Sequence, residues 1–238
     1  MKLDVLAIGA HPDDIELSCS GTVIKLVRSG KRVGVLDLTE GELGTRGSRE
    51  LRREEAGNAA SVLGVVVREN LGLPDGNIVV NKENITLLIA AIRRFRPEIL
   101  LFPFGQDRHP DHVHAHSLCK EAWFYSGLTR IETSENGVLQ AAHRPARYYQ
   151  YMQWQDFNPT FIVDVTDSWK QRMESILAFR SQFHDPASPD PPTALSSPDF
   201  FDFIETRAKY YGDRIGVGFG EAFYSEKIPG VADLYTLL

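Results

Sequence analysis

The amino-acid sequence predicts an α/β fold: a Rossmann-like, doubly wound, mostly parallel sheet flanked by helices. Three features point to it. Short apolar runs alternate with segments of helical periodicity through the first part of the chain. The runs are mostly apolar without alternation, the pattern of strands buried on both faces. Two of them end in corners rich in histidine and aspartate, at the carboxyl ends where open parallel sheets bind ligands.

The elements follow in order. Leu3 to Gly9 (Leu-Asp-Val-Leu-Ala-Ile-Gly) reads as the first strand. A helix is expected from Ile15 to Ser29, with Leu17, Val23, Ile24 and Val27 as its apolar stripe and Gly30 as its stop. Arg32 to Thr39 reads as a second strand, so the first crossover should be parallel and right-handed. After a loop with Gly41, Gly44 and Gly47, Ser48 is placed to cap a helix that runs to Leu63 and ends at Gly64. Val65 to Val67 begins another strand, Pro74-Asp75-Gly76 makes a turn, and Asn81 caps a helix that must stop before Pro97. Ile99 to Phe104 is the next strand. Arg147 to Trp154 and Thr160 to Val165 look like strands that extend the same sheet, and Asp167 is placed to cap a helix to Phe183. Five prolines between residues 185 and 198 make that stretch an extended loop, and Ser197-Pro198 should open a last helix.

The chain of 238 residues is long enough to bury a core as one domain, expected over 1–238 with the proline-rich loop at 185–198. A net charge of -6 disfavours a nucleic-acid partner, and no apolar run approaches the roughly 20 residues of a membrane span. The two cysteines, Cys19 and Cys119, fall in helix-like segments and suggest reduced core thiols in a cytoplasm rather than a disulfide framework. Gly216-Val217-Gly218-Phe219-Gly220 follows no strand–helix crossover and spaces its third glycine too closely for a dinucleotide fingerprint, so it reads as a flexible turn near the site. Aromatic residues at Tyr148, Tyr149, Tyr151 and Trp154 are candidates for stacking on a sugar ring, though alternation makes half of them core. Arg49 to Glu55 reads as a solvated helix face with i,i+4 pairing.

The chemistry sits in two corners. Past the first strand comes Ala10-His11-Pro12-Asp13-Asp14-Ile15-Glu16. His11 and Asp14, three apart at a helix start, share a face and suit a metal ion, whereas Asp13 points elsewhere and is free to act as a base toward a water on that ion. Adjacent aspartates at a helix start also suit the helix dipole. Past Phe104, four of the chain's seven histidines fall between His109 and His116. Three His or Asp ligands with an open position are the pattern of catalytic rather than structural zinc. His112 and His116 share a helical face, while His109 and His112 straddle Pro110. His112 is favoured because it completes a His-Asp-His set with His11 and Asp14. His109 is then free to hydrogen-bond an oxyanion, with Asp111 fixing the tautomer of such an imidazole. His114 should face solvent, His116 should be a supporting polar group, and His143 and His184 lack carboxylates at a useful spacing.

These motifs, Ala10-His11-Pro12-Asp13-Asp14-x-Glu16 and His109-Pro110-Asp111-His112, resemble the PIG-L (LmbE-like) family of zinc-dependent N-acetylglucosamine deacetylases. Leu38-Thr39-Glu40-Gly41-Glu42, Thr45-Arg46-Gly47, Arg52-x-Glu54-Glu55-Ala56 and Arg68-Glu69-Asn70-Leu71 make the chain most similar to the bacillithiol-biosynthesis branch, which deacetylates N-acetylglucosaminyl-malate. The resemblance implies metal ligation by His11, Asp14 and His112, a base at Asp13, an oxyanion contact from His109, and substrate-hydroxyl contacts from Arg52 and Asp75. It implies Zn²⁺, with Fe²⁺ suiting the same donors, a small amino-sugar substrate, a cytoplasmic setting and a homo-oligomer. Competing expectations are a deacetylase of another N-acetylglucosamine substrate such as a chitooligosaccharide, a metallophosphoesterase, and a non-catalytic sugar-binding protein.

Overall fold

The alternating segments become strand β1 (Val5–Gly9), helix α1 (Asp14–Arg28), β2 (Val33–Thr39), α2 (Arg49–Leu63), β3 (Val67–Leu73), α3 (Lys82–Phe95), β4 (Ile99–Pro103) and α4 (Pro110–Ser126) in a computed structural model, which describes residues 1–237. Leu238, the last residue of the expected domain, lies outside the described residues. Three of the expected caps form, whereas Asp167 makes no side-chain cap for the helix that follows it. Ser48 accepts a hydrogen bond from the Leu51 amide, Asn81 accepts one from Asn84, and Gly64 closes α2 at φ 72°, a left-handed conformation that suits glycine.

The rest of the chain adds the two-residue strands β5 (Ser134–Glu135) and β6 (Val138–Leu139), then β7 (Arg147–Tyr151), β8 (Phe161–Asp164), α5 (Trp169–Leu177), α6 (Phe200–Asp213) and β9 (Gly220–Tyr224). Seven strands form one sheet in the order β3-β2-β1-β4-β7-β9-β8. The first five in that order are parallel, and β9 runs antiparallel to both β7 and β8. The chain winds outward from β1 to β3 and then returns to β4 on the other side of β1. The carboxyl ends of β1 and β4 therefore flank a switch point, where side chains from both can meet.

Strand alternation builds a core on each face. Leu6 and Ile8 of β1 join Leu36 and Leu38 of β2 against α3 and α4, while Val5 and Ala7 join Val33 and Val35 against Ile15, Val23 and Ile24 of α1. A third cluster links Ala56 and Ala59 of α2 to Ile176, Phe179, Phe200 and Ile204, which covers the helix behind the switch point. Among the described residues, no helix is long and apolar enough to cross a membrane.

Several expectations for local structure are corrected. The strand expected to begin at Val65 starts at Val67 and runs on through polar residues to Leu73. The helix expected from Asp167 to Phe183 ends at Leu177, because Phe179 turns fully into the core and the Ser181 amide and hydroxyl donate to the buried Glu55 at 2.7 Å each. The last helix begins at Phe200 rather than at Pro198. The run from Arg49 to Glu55 is not a solvated face throughout: Arg52 and Glu55 are buried, and Arg49 and Arg53 pair with Glu40 outside the helix.

Strand β9 was not anticipated, since its second residue is a buried charged one, Glu221. Glu221 reaches α1, where Cys19 departs from helical geometry (φ -143°, ψ 18°) and backbone amides of the following turn are free for a partner. Its carboxylate accepts from the Gly21 amide at 2.8 Å, the Thr22 amide at 2.7 Å and the Thr22 hydroxyl at 2.6 Å. A Cβ at Gly21 would lie 2.8 Å from both Glu221 and Val165, so only glycine permits this approach. Residues 216–220 lead into β9 and pack against Gly212 and Thr166; none of them lines the site cavity, contrary to the expectation of a turn near the site.

Candidate functional site

β1 ends at Gly9 and delivers His11, Asp13 and Asp14 to the switch point. Gly9 is tightly placed: a Cβ there would press at 3.1 Å on both the Asp14 Cβ and the His11 carbonyl. Asp13 holds φ 116°, a conformation costly for any residue other than glycine and characteristic of sites where geometry is over-determined. β4 ends at Pro103 and delivers Asp107, His109 and His112 from the other side. His109 caps α4, its Nδ1 accepting the Asp111 amide at 3.2 Å, with Pro110 at the first helical position.

Asp14 stands between the two motifs. Its Oδ2 lies 3.7 Å from His11 Nδ1 and accepts the His11 amide at 2.9 Å; its Oδ1 lies 3.3 Å from His112 Nε2. The outer nitrogens of both rings are taken by other carboxylates. His11 Nε2 is 3.0 Å from Asp75 and 3.4 Å from Asp111, and His112 Nδ1 is 2.8 Å from Asp107. Each ring is thus held with one nitrogen on an outer carboxylate and the other turned toward Asp14, the arrangement that orients metal-binding imidazoles. His11, His109 and His112 also bring one nitrogen each within 4.8 Å of one another, as do donors of His11, Asp75 and Asp111. Because His109 Nδ1 accepts an amide proton, the neutral ring carries its own proton on Nε2 and is a hydrogen-bond donor there.

Burial and charge set the protonation states. Burial alone would lower the pKa of His11, but Asp111, Asp75 and Asp14 push it up to about 10. Burial is likewise outweighed at His112, which Asp14 and Asp107 raise to about 9. Asp14 resists its own burial and is held well below the usual carboxylate range by His112 and His11. Asp13 behaves differently: burial raises it to about 6, against the opposing charge of Arg52. His109 is lowered, first by burial and then by the neighbouring imidazoles, which favours its neutral form.

His11, Asp13, Asp14, His109, His112, Arg52 and Asp75 all line one cavity of about 550 Å³. Asp111 does not. Its carboxylate lies beneath His11 and accepts the Gly76 amide at 2.7 Å, so its partner is His11 and not His109 as expected. The reason is local: in the first turn of α4 its backbone amide serves His109, while its side chain is drawn to the free amides of the turn at Gly76 and Ile78. Arg52 lies 3.3 Å from Asp13 and donates to the Pro12 carbonyl. Asp75 is tied to His11 and to the Leu43 amide at 2.9 Å. His114 is exposed, and His116 Nδ1 lies 3.1 Å from the Pro103 carbonyl, outside both histidine clusters. Of the aromatic candidates, Trp154 lines the cavity and Tyr151 is core, with its hydroxyl on the Ile8 carbonyl at 2.8 Å.

Two residues were missed. Asp107 binds His112 and accepts the amides of His109, Trp154 and Gln155, and so ties β4 to the end of β7. Its only sequence signal is a carboxylate five residues before a candidate ligand. Replacing Asp107 by Ala is expected to weaken Zn²⁺ binding by about 10–100-fold in a chelator competition, as for other carboxylates behind metal-binding histidines; an unchanged affinity would show that His112 needs no such support. Gln153 follows β7 and puts its Nε2 2.7 Å from Asp14 Oδ1.

The chain is similar to several known proteins. The PIG-L family, described as GlcNAc-PI de-N-acetylase, matches residues 6–123. The chain is 31% identical over 237 residues to the diacetylchitobiose deacetylase of Thermococcus kodakarensis, covering 95% of this chain and 84% of that one. Among solved structures, it resembles the conserved protein TT1542 from Thermus thermophilus with a TM-score of 0.86 and 33% identity, covering 97% of each chain. It also resembles the N,N'-diacetylchitobiose deacetylase of Pyrococcus horikoshii with a TM-score of 0.78 and 28% identity, over 92% of this chain and 82% of that one.

Proposed function

This chain belongs to the PIG-L family and is an N-deacetylase of N-acetylglucosamine-like substrates, and from that premise we propose that it removes the acetyl group of N-acetylglucosaminyl-malate, the bacillithiol precursor. The observation that carries the catalytic part is the division of labour between adjacent aspartates. Asp14 bridges His11 and His112, while Asp13 faces the same cavity with Arg52 as its only ion-pair partner among the described residues.

In this reading His11, Asp14 and His112 hold a divalent cation, Zn²⁺ or Fe²⁺, and the donor set of two imidazoles and a buried carboxylate fits either ion. When bound, such a cation supplies Lewis-acid polarisation of the acetamide carbonyl and a water of lowered pKa. Asp13 takes a proton from the attacking water, and Arg52 offsets part of the burial that would keep the carboxyl neutral. His109 donates from Nε2 to the oxyanion formed as water adds to the acetyl carbon, a contact worth about 3–4 kcal/mol for other such donors. Asp13 returns the proton to the sugar nitrogen as the C–N bond breaks, which leaves acetate and a free amine. Asp75 and Asp111 orient His11, and Arg52 and Asp75 line the cavity where sugar hydroxyls would lie.

A cavity of about 550 Å³ suits a single sugar with a small aglycone. Arg108 and Arg207 both line it, and two guanidinium groups favour a dicarboxylate aglycone. A chitooligosaccharide is the second reading, favoured by Trp154, whose ring stacks on Phe203 at 5.4 Å and offers a platform for a second sugar. Amine release from N-acetylglucosaminyl-malate should exceed release from diacetylchitobiose by about tenfold or more in kcat/KM, equivalent to about 1.4 kcal/mol. The opposite order would overturn the malate assignment, and cleavage of p-nitrophenyl phosphate in place of either would overturn the deacetylase mechanism. Buried, unpaired Cys19 and Cys119 support a reducing cytoplasm, and the exposed apolar side chains Ile228, Leu234 and Tyr235 support a homo-oligomer.

A further inference from the structure

The side chain of Gln153 lies inside the ligand cluster. Its Nε2 donates to Asp14 Oδ1 at 2.7 Å and lies 3.2 Å from His112 Nε2, while Asp14 Oδ1 and His112 Nε2 are themselves 3.3 Å apart. Two edges of this triangle fall in the range of about 3.0–3.4 Å expected between donors around one small cation with bonds of about 2.1 Å, and the third, at 2.7 Å, is the hydrogen bond itself. The other end of the amide is unsatisfied: Gln153 Oε1 is buried without a hydrogen-bond partner among the described residues. A buried amide oxygen left bare is costly, so it requires an explanation.

We propose that Gln153 is a further ligand of the divalent cation, through Oε1. The inference rests on the assignment of His11, Asp14 and His112 as the other ligands. A cation on Asp14 Oδ1 and His112 Nε2 takes up the lone pairs to which the amide now donates, and it would repel the N–H groups. Rotation of the terminal amide exchanges oxygen and nitrogen with almost no change of shape. That single rotation relieves the repulsion, gives the bare oxygen a partner and turns the nitrogen away from the cation. The backbone around Gln153 is already immobilised for the task. Its carbonyl accepts from Arg207, and the next two amides donate to Asp107, the carboxylate that also holds His112. Four protein donors would still leave a position for water on an ion that can expand to five-coordination.

The test is metal binding by the whole chain, stripped and titrated with Zn²⁺ against a chelator and with Co²⁺ by visible absorption. Gln153→Ala should weaken Zn²⁺ binding by about tenfold or more and alter the Co²⁺ spectrum, whereas Gln153→Glu, which keeps the shape and adds charge, should tighten binding. Unchanged affinity and an unchanged Co²⁺ spectrum in both variants would overturn the proposal. So would tighter binding by Gln153→Ala, which would make the amide a mere occupant of the site. If the Ala variant does not fold, Gln153→Glu decides alone. His112→Ala separates this inference from the reading beneath it: if that variant keeps full affinity, the ligand assignment itself fails, whatever the Gln153 variants do.

Discussion

Asp13→Asn is expected to lower turnover by about 10²–10⁴-fold, the usual contribution of a general base, while binding metal as tightly as the parent. The structure selects Asn over Ala. Asp13 sits at φ 116°, where alanine would add strain of its own, whereas asparagine tolerates positive φ better than most residues and keeps the shape of the side chain. The variant therefore removes the proton acceptor and little else. Metal content, thermal midpoint and amine release measured on one preparation decide the matter. Activity lost only in proportion to lost metal would make Asp13 a ligand, and activity retained per bound ion would remove it from the mechanism.

The largest expected effect on stability lies at Arg68. Its guanidinium on β3 reaches two buried carboxylates, Asp37 at 2.7 and 3.0 Å and Glu16 at 2.6 Å. Burial raises the pKa of Glu16, and Arg68 opposes that shift. Arg68→Met leaves both acids buried without their cation, and removal of one partner from such a group costs about 3–5 kcal/mol. That is a large share of the roughly 5–15 kcal/mol available to a folded domain. Urea unfolding at neutral pH should show a midpoint lowered accordingly, and Glu16→Gln with Asp37→Asn in the same chain should recover most of the loss. A loss below about 1 kcal/mol would mean that water reaches the triad and that it acts as an exposed salt bridge.

Much of the parallel half was legible in the residues, because its signals are local. Ser48, Asn81 and Gly64 cap their helices through groups no more than four residues away, and unbroken apolar runs mark strands covered on both faces. Density of chemistry also marked the site: His11, Asp13 and Asp14 follow one strand, and His109 and His112 follow another. The antiparallel end was harder to read. β9 carries Glu221 near its start, and nothing near it in the chain says that its partners are the amides of Gly21 and Thr22, some 200 residues away.

Residue type and short spacing, which belong to the chain before it folds, were enough to mark two histidine–aspartate clusters at two strand ends. Which carboxylate serves which imidazole was settled only by folding: Asp107 stands behind His112, Asp75 and Asp111 behind His11, and Gln153 reaches from a neighbouring strand end between Asp14 and His112. Those choices depend on distances of a few ångströms between segments far apart in the chain, which exist only once the sheet has set the order of its strands.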